Sequence, residues 1–498
     1  MLRLAVLTLT LLLTPLAALA ERVALVIGMS DYANVTKLKN TINDADRIAA
    51  KLQEVGFNVT LATDKTQSEL LDIMDTFSFQ AETADLALVY YAGHGVEVQG
   101  VNYLVPIDAN VTAAQDITRV GISLNQILET VDSARKMRVV ILDSCRNNPF
   151  VGIAGFGGSG DTSLSGNTAD PNAPAAGLAP VNPELGTLVA YAAKAGQVAL
   201  DGLGGNSPYA TALIDAFGRT DVEIGLMFRQ VRDEVLKNTG NLQEPYQYGS
   251  LSGTPFFLAG SSDGSLDIAA ESDPRVAWAN IKPDDEQQMR ALADQGDNRA
   301  MLGLAYIRLN PDQPSYNPEE AVAYLTRAAA AGAADAQYEL AKLYEKGLGV
   351  ATDPARALEL YQQSAAQDFP DAVNDMGFIY YQGGLGLAAD PTLALDYFAR
   401  AADLRQPEAM FNYASLIDEG QVAGRGPEDA AKYLYDALRA GSDPVLTQLT
   451  TKPEMFKTPA RKALQKILKS NAFYDGPLDG DFGKSTQTAL KKAYGLPG

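Results

Sequence analysis

Small residues recur along the second half of the chain at a nearly constant spacing. One set consists of Ala300, Ala336, Ala372 and Ala409, which lie 36, 36 and 37 residues apart. A second set keeps the same step and consists of Ala321, Ala357, Ala394 and Ala430. Such a period is typical of paired helices that stack into a solenoid, because small side chains at fixed positions let the helices approach closely. The spacing therefore predicts an all-α solenoid over residues 286–442.

The last three copies of this repeat share further positions. In each, an apolar or aromatic residue follows the alanine by four positions and a glycine follows it by eleven, as in Ala336, Leu340 and Gly347. These copies resemble Sel-one-like repeats, relatives of tetratricopeptide repeats, whereas the first copy lacks the Tyr and Gly positions. The resemblance implies a concave face that binds a protein partner. A mere spacer between two domains is the alternative.

The first half of the chain alternates short apolar runs with amphipathic segments. The predicted strands are 22–28, 57–61, 86–91, 139–142 and 187–192, and the predicted helices are 40–55, 68–79, 123–131, 209–217 and 224–238. Near-continuous apolar strands that alternate with helices favour a mostly parallel sheet with helices on both faces. A last apolar run at 255–258 ends this α/β domain, which we expect to span 21–259, with a linker at 260–285.

Both ends of the chain carry recognisable segments. Residues 1–20 contain Arg3, an apolar run over 4–13 and Ala18-Leu19-Ala20, which predicts a cleaved export signal and a location in the periplasm or cell envelope. The run is shorter than the ~20 residues that a membrane anchor needs. At the other end, residues 443–498 repeat an Asp-Gly pattern followed by a helix. They resemble the small three-helix peptidoglycan-binding module of cell-wall enzymes, and their aspartates do not have the spacing of a calcium loop.

Composition excludes several kinds of site. The 498 residues include one histidine, His94, and one cysteine, Cys145, and the net charge is −21. The chain therefore has no internal disulfide and no zinc site built from several Cys and His ligands. Nucleic-acid binding is disfavoured as well, because neutralising phosphates requires a basic surface. A single unpaired cysteine is unusual in an exported chain and needs an explanation, since oxidising compartments favour paired cysteines.

The single histidine and the single cysteine each follow a predicted strand. His94 comes directly after the third strand and Cys145 after the fourth, and the carboxyl ends of neighbouring parallel strands are where ligands bind. A thiolate is a nucleophile and an imidazole moves protons, so the pair could carry out acyl transfer. The backbone N–H groups of Gly95 and Cys145 could stabilise an oxyanion. A buried structural cysteine and a structural histidine are the alternative.

Residues 22–258 resemble caspase-like cysteine peptidases, most closely the bacterial metacaspase type. The resemblance rests on His94-Gly95, on Asp143-Ser144-Cys145, and on the 51 residues between the His and the Cys, a separation typical of caspases. It implies an α/β caspase-like sandwich in which Cys145 is the nucleophile. His94 would activate it or protonate the leaving amine.

The resemblance also implies a specificity pocket with two carboxylates. In metacaspases an Asp two positions before the Cys and an Asp on the first helix line this pocket, and the matching positions here are Asp143 and Asp44. Two carboxylates would select Arg or Lys before the scissile bond through charge-assisted hydrogen bonds. The alternatives are charge stabilisation of a helix N-terminus for Asp44 and loop capping for Asp143.

A long stretch between the two predicted halves of the sheet bears on activation. Residues 150–186 are rich in Gly, Ala, Ser, Pro and Asn without periodicity, which predicts a mobile loop. No Lys or Arg occurs from Asn147 to Ala193, so an enzyme that cuts after basic residues could not process itself there. We therefore expect an active single chain. An enzyme that cuts after Asp could instead cleave this loop after Asp161 or Asp170.

These observations predict an exported cysteine endopeptidase that acts on proteins or peptides through a His94/Cys145 dyad. The repeats would recruit a protein partner, and the C-terminal module would bind peptidoglycan. No organic cofactor is implied, and no clear site supports activation by calcium. Two alternatives remain open. One is a non-enzymatic envelope scaffold with a caspase-like fold, and the other is an acyl transferase that acts on cell-wall peptides.

Overall fold

The computed structural model describes most of the chain. The described residues are 22–145, 150, 186–194, 199–202, 204–251, 256–260 and 283–496, and for Cys145 only the backbone is described. The expected export signal, nearly all of the predicted mobile loop and most of the predicted linker lie outside these residues. Within them, no helix is both long enough and apolar enough to cross a membrane.

A mostly parallel sheet forms the first part of the described chain. Its strands are β1 (Arg22–Gly28), β2 (Asn58–Thr63), β3 (Leu86–Val98), β4 (Val101–Leu104), β5 (Ile122–Ser123), β6 (Met137–Cys145), β7 (Thr187–Tyr191) and β8 (Tyr246–Ser250). The main order is β2-β1-β3-β6-β7-β8, in which only β8 runs antiparallel to its neighbour. Strand β4 pairs antiparallel with the second half of β3, and β5 pairs with β4.

Helices cover both faces of this sheet. They are α1 (Thr41–Glu54), α2 (Gln67–Ala81), α3 (Ile117–Val120), α4 (Leu124–Asp132), α5 (Pro208–Phe217) and α6 (Ile224–Asn238). Alternate residues of β1 show the two-sided burial, because Ala24 and Val26 pack with α1, α5 and α6 while Val23 and Leu25 pack with α2 and α4. An apolar strand buried on both faces is what a parallel sheet requires. The predicted fold class is confirmed.

Two parts of the sheet differ from the sequence prediction. Strand β3 was expected to end at residue 91 but continues to Val98, because β4 supplies hydrogen bonds along its second half. His94 therefore lies inside a strand, and Cys145 is the last residue of β6, so neither lies in a turn. Strand β8, the last strand among the described residues, was not predicted from the sequence. The apolar run at 255–258, where the domain was expected to end, contributes an isolated bridge from Phe257 to Glu223.

Nine consecutive helices follow in the described part after residue 282. They are α7 (Pro283–Asp294), α8 (Asn298–Leu309), α9 (Pro318–Ala330), α10 (Ala334–Lys346), α11 (Pro354–Ala366), α12 (Pro370–Gln382), α13 (Pro391–Asp403), α14 (Pro407–Glu419) and α15 (Pro427–Arg439). We call them the repeat domain. The recurring alanines are buried between the helices, as at Ala336 and Ala372, which are 0% exposed. At Gly377 a Cβ would lie 2.8 Å from the ring of Phe398, so the close approach requires small residues. The predicted helical solenoid is confirmed.

The C-terminal segment contains α16 (Asp443–Thr451), α17 (Thr458–Ser470) and α18 (Lys484–Tyr494). The buried Gln465 fixes the loop between α17 and α18, because its Nε2 donates to the Asp481 carbonyl at 2.9 Å and its Oε1 accepts from the Gly480 N–H at 2.8 Å. Thr486 donates to the same Asp481 carbonyl at 3.0 Å. The three helices share one hydrophobic core with the last repeats. This segment therefore packs as a continuation of the repeat domain.

The repeat domain contacts the sheet domain near both of its ends. Near the first end, Arg299 of α8 pairs with Glu223 at 2.7 Å. Near the last end, Arg439 of α15 pairs with Glu82 at 2.9 Å. Each arginine is largely buried at the contact, with its side chain 16% and 7% exposed, respectively. The solenoid is thus anchored to the sheet domain at two separate points.

Candidate active site

The backbones of His94 and Cys145 lie side by side on neighbouring strands. In the parallel pairing of β3 with β6, the Cα of His94 is in register with the Cα of Cys145. Neighbouring strands run about 4.8 Å apart. The two residues that the sequence singled out therefore share one edge of the sheet, at the carboxyl end of the strands.

Two tyrosines hold the main chain of His94 from both sides. The hydroxyl of Tyr32 accepts from the His94 N–H at 2.8 Å, and the hydroxyl of Tyr91 donates to the His94 carbonyl at 2.7 Å. The preceding residue must be glycine for this arrangement, because a Cβ at Gly93 would lie 2.5 Å from the Tyr91 hydroxyl and 2.7 Å from that of Tyr32. The position of His94 is thus fixed by its backbone.

The imidazole of His94 is oriented by a carbonyl oxygen. Its Nε2 lies 2.7 Å from the carbonyl of Thr36, and a carbonyl can only accept, so Nε2 carries the hydrogen in the neutral ring. The lone pair then belongs to Nδ1. This atom is buried and has no hydrogen-bond partner among the described residues. The ring therefore has one nitrogen occupied and one nitrogen available to take a proton.

Burial keeps this imidazole neutral. The loss of solvation lowers the pKa of His94, and the hydrogen bond to the Thr36 carbonyl and the charge of Asp201 oppose the effect only in part. A neutral imidazole with a free lone pair is the form that a general base needs.

Asp44 and Asp143 are brought together by a single serine. The Ser207 N–H donates to Asp44 at 3.0 Å, and the Ser207 hydroxyl donates to Asp143 at 2.6 Å. Asp44 also accepts from the side-chain amide of Asn206 at 2.7 Å, and Asp143 from the hydroxyl of Tyr90 at 3.0 Å. These bonds tie the Asp44 carboxylate to Asn206 and Ser207, the two residues that precede α5.

The two carboxylates are buried, and neither forms an ion pair within the described residues. Burial, and then the charge of Asp143, raises the pKa of Asp44 to about 7. Burial also raises the pKa of Asp143 to about 6, against the hydrogen bonds from Ser207 and Tyr90. No lysine or arginine in the described part of the chain is among the main influences on either pKa. Buried carboxylates of this kind are stabilised by a positively charged ligand.

Sequence reasoning missed two residues of this cluster. Ser207 is the N-cap of α5, where its hydroxyl accepts from the Ala210 N–H at 2.9 Å; the Ser-Pro pair at 207–208 could have predicted that cap. Asp201 is the other, and its charge acts on Asp44, Asp143 and His94 alike. Its loop is held by Asn40, whose amide donates to the Asp201 carbonyl at 2.6 Å. A glycine-rich loop offers no pattern that would mark Asp201. Among the described side chains, no group of three or more His, Cys, Asp or Glu is placed to hold a metal ion.

Comparisons with known families agree with this architecture. The family described as "Caspase domain" matches residues 21–256. The family described as "Sel1 repeat" matches residues 298–332, 334–369, 370–405 and 407–442. The chain therefore carries a caspase-like α/β domain followed by a Sel1 solenoid, and the caspase-like domain supports a cysteine peptidase-like function.

Similar proteins cover only parts of the chain. Mucosa-associated lymphoid tissue lymphoma translocation protein 1 of Homo sapiens is 33% identical over 133 residues, which is 25% of this chain and 15% of that protein. Chitin synthase regulatory factor 3 of Schizosaccharomyces pombe is 39% identical over 82 residues, which is 16% of this chain and 9% of that protein. The chain thus spans less than a fifth of the curated relatives named here.

Two solved structures are also similar to parts of the chain. A Sel1 repeat protein from Oxalobacter formigenes is 28% identical, with a TM-score of 0.23, over 24% of this chain and 89% of that chain. The Drosophila initiator caspase Dronc is 14% identical, with a TM-score of 0.33, over 47% of this chain and 81% of that chain.

Proposed function

We propose that the chain is a cysteine endopeptidase that hydrolyses peptide bonds after Arg or Lys. The observation that carries this proposal is the register of His94 with Cys145, together with the state of His94 Nδ1. This nitrogen is buried, carries no hydrogen in the neutral ring and has no hydrogen-bond partner among the described side chains. A histidine with a purely structural role would be expected to use both ring nitrogens in hydrogen bonds.

The reaction proceeds in two stages. His94 Nδ1 takes the proton of the Cys145 thiol, and the thiolate attacks the scissile carbonyl carbon. The negative oxygen that forms accepts hydrogen bonds from the N–H groups of Gly95 and Cys145. The carbon–nitrogen bond then breaks, His94 returns the proton to the leaving amine, and a thioester remains. In the second stage water attacks the thioester carbon and gives one proton to His94. The carbon–sulfur bond then breaks, the acid leaves, and His94 returns that proton to the Cys145 sulfur.

The acidic cluster provides the proposed specificity. Asp44 and Asp143 are held together by Ser207, and Asp201 adds a third negative charge. An arginine or lysine side chain of the substrate would pair with these carboxylates, which have no ion-pair partner among the described residues, through charge-assisted hydrogen bonds. Arginine is expected to be preferred, because its guanidinium pairs with two carboxylate oxygens at once.

The remaining parts of the proposal concern the setting of the enzyme. Each group that the reaction uses belongs to the chain, so we propose neither an organic cofactor nor a calcium requirement. We further propose that residues 1–20 direct export to the periplasm or cell envelope, that the Sel1 repeats bind a protein partner and that the C-terminal segment contacts peptidoglycan. N-terminal sequencing of the exported chain would test the first point, since cleavage after Ala20 leaves Glu21 as the first residue.

Labelling with an inhibitor tests the proposed nucleophile. A thiol-reactive peptide ending in Arg should modify Cys145 in the wild type, and its citrulline counterpart should react far more slowly. His94→Ala should slow the labelling although the thiol is still present. If neither peptide labels Cys145 and no amide substrate is cut, the domain is a scaffold. If added amines appear in the product, the enzyme is an acyl transferase.

The termini formed on incubation give an independent test of specificity. The wild type should remain a single chain, because no Lys or Arg lies between Asn147 and Ala193. Cys145→Ala serves as the control for contaminating proteases. Cleavage after Asp161 or Asp170 in the wild type alone would contradict the proposed preference for basic residues.

A further inference from the structure

A cavity opens in the repeat domain, far along the chain from the proposed dyad. It has a volume of about 450 Å³ and lies between α10, α12, α14 and α16, the first helices of successive helix pairs. This volume is in the range of sites that bind a ligand (roughly 300–1,000 Å³). The cavity is lined on one side by Tyr338 and Asp375 and on the other by Val445 and Gln448.

The lining is acidic and contains no basic residue. Asp371, Asp375 and Glu408 contribute three carboxylates. Burial raises the pKa of Asp371, and it raises the pKa of Asp375 to about 6. Asp371 and Glu408 lie in the first turns of their helices. A carboxylate there stabilises the helix through the helix dipole. Asp375 lies in the middle of α12, so helix stabilisation does not explain it.

A buried amide beside these carboxylates has an acceptor without a partner. Asn374 is only 6% exposed and lines the cavity, and its Oδ1 has no hydrogen-bond partner within the described residues. The Oε1 of Gln448, which also lines the cavity, is likewise buried and unpartnered there. Buried polar atoms are usually hydrogen-bonded. The unmet acceptors point to a ligand that donates.

Aromatic rings complete the lining. Tyr338, Phe378 and Phe411 all border the cavity, and Phe378 is 37% exposed although it is a large apolar side chain. The ligand must therefore donate several hydrogen bonds, carry positive charge and pack on aromatic faces. A guanidinium does all three, because it has five donors, no acceptor and a planar cation that stacks on rings.

The chain's own lysine beside the cavity is already engaged. Lys342 pairs with Glu339 at 2.9 Å, and its ammonium lies 4.9 Å from the centre of the Tyr338 ring. Its positive charge lowers the pKa of Asp371 and of Asp375, but burial has the larger effect and both pKa values are raised. The cavity thus retains an excess of negative charge.

We propose that this cavity binds an arginine side chain of an extended polypeptide partner. The unpartnered acceptors of Asn374 and Gln448 bind the N–H groups that remain after the guanidinium has paired with Asp375. This proposal does not depend on peptidase activity, because it uses none of the residues of the sheet domain.

The test measures peptide binding to the full mature chain carrying Cys145→Ala, which cannot cut the probes. The probes are nonapeptide pools that are random except at the centre, which is Arg, Lys, citrulline or Leu. Immobilised protein retains the peptides, and mass spectrometry quantifies them. We expect the Arg pool to be retained at least about tenfold more than the citrulline pool, the effect of about one charge-assisted hydrogen bond, and the Lys pool to fall between them.

Variants separate this site from the proposed active site. Adding Asp375→Asn should lower the excess retention of the Arg pool, and the part that remains should be lost when Asp143→Asn is added as well. The fold should be kept, because the Tyr338 hydroxyl, which donates to Asp375 at 2.9 Å in the wild type, can donate to the amide oxygen. Adding Glu359→Gln, an equal charge change on the exposed face of α11, should leave retention unchanged.

Three outcomes would overturn the proposal. The Arg and citrulline pools could be retained equally. Asp375→Asn could leave retention intact while Asp143→Asn abolishes it, which would place the binding in the sheet domain. Soluble peptidoglycan fragments could be retained in place of all four peptide pools, which would assign the cavity to a glycan.

Discussion

At the scale of single residues, hydrogen bonds to both the backbone and the ring hold His94 in place. Tyr32 and Tyr91 bind its backbone, and the Thr36 carbonyl selects its tautomer. These three contacts together determine where the Nδ1 lone pair, the proposed proton acceptor, is placed. Such preorganisation matters because a displacement of about 1 Å in a reacting group can cost roughly 100-fold in rate.

Gly93→Ala should disturb this arrangement directly. The new Cβ would lie 2.5 Å from the Tyr91 hydroxyl and 2.7 Å from that of Tyr32, so both phenols must move and His94 must move with them. We expect kcat to fall by about 10- to 100-fold, with a loss of about 1–3 kcal/mol in the free energy of unfolding. Steady-state kinetics and urea unfolding would measure the two effects.

The matched control is Gly384→Ala in the repeat domain. A Cβ there would meet only a methyl group of Ile379, at 3.9 Å, so activity and stability should be unchanged. Wild-type kinetics in Gly93→Ala would show that the two phenols do not position His94.

The acidic cluster predicts a pH-dependent selectivity. The pKa values of Asp44 and Asp143 are raised, so both carboxylates lose their charge as the pH falls toward about 6. The pKa of His94 is lowered, and protonation of this proposed base affects both substrates alike, so it cancels in their ratio. The ratio of kcat/KM for an Arg substrate to that for its citrulline counterpart should therefore rise from about pH 5 to about pH 8. A ratio that stays constant over this range would contradict the assignment of the cluster to substrate recognition.

The sequence singled out the proposed dyad but not the residues around it. His94 and Cys145 could be found because each is the only residue of its kind and each follows an apolar strand. Asp44 and Asp143 came from a family resemblance. Ser207 and Asp201 come close to them only through folding. Ser207 and Asp44, which are hydrogen-bonded, are 163 residues apart in the sequence. No local pattern encodes a contact over such a distance.

At the scale of elements, segments with a strong apolar pattern were predicted well, and segments with a weak apolar pattern were not. The apolar strand β1 has the predicted bounds of Arg22–Gly28. The edge strand β8 has the sequence Tyr-Gln-Tyr-Gly-Ser, which has few of the apolar residues that mark a buried strand. Its position depends on β7, which offers its free edge. Likewise β3 continues past its glycines only because β4 pairs with it.

Small residues should be essential where the repeat helices meet. Ala372 is 0% exposed between α12 and its neighbours, so Ala372→Leu should overpack the contact and lower the free energy of unfolding by about 1–3 kcal/mol. Urea unfolding followed by circular dichroism at a helical wavelength would measure the change. Peptidase activity should persist at temperatures below the transition.

Ala323→Leu is the control for this substitution. Ala323 is exposed on α9, and leucine is nearly as good a helix former as alanine. Equal losses of stability in the two variants would show that the repeat spacing does not report close helix packing.

At the scale of the whole molecule, two arginines at one interface should differ sharply in their contributions. Arg439 is buried, pairs with Glu82 at 2.9 Å and lies between the rings of Phe79 and Phe473. Arg405 pairs with Asp132 at 3.4 Å, and both side chains are more than 40% exposed. Arg439→Ala should lower the free energy of unfolding by more than about 2 kcal/mol. Arg405→Ala should change it by less than about 1 kcal/mol.

Differential scanning calorimetry of both variants would measure this difference. Arg439→Ala should also bring the unfolding of the sheet domain and of the repeat domain further apart in temperature, because it removes the buried ion pair with Glu82 from their contact. If Arg439→Ala and Arg405→Ala have equal effects, the buried arginine does not hold the two domains together.

The most direct test of the central claim is the cleavage profile of the mature chain on a library of proteome-derived peptides. Mass spectrometry would identify the residue before each new cut, for the wild type beside Cys145→Ala. We expect the wild type to cut after Arg, and less often after Lys, and Cys145→Ala to make no such cuts. Equal cutting by both proteins, or a wild-type profile without Arg and Lys before the cut, would contradict the account.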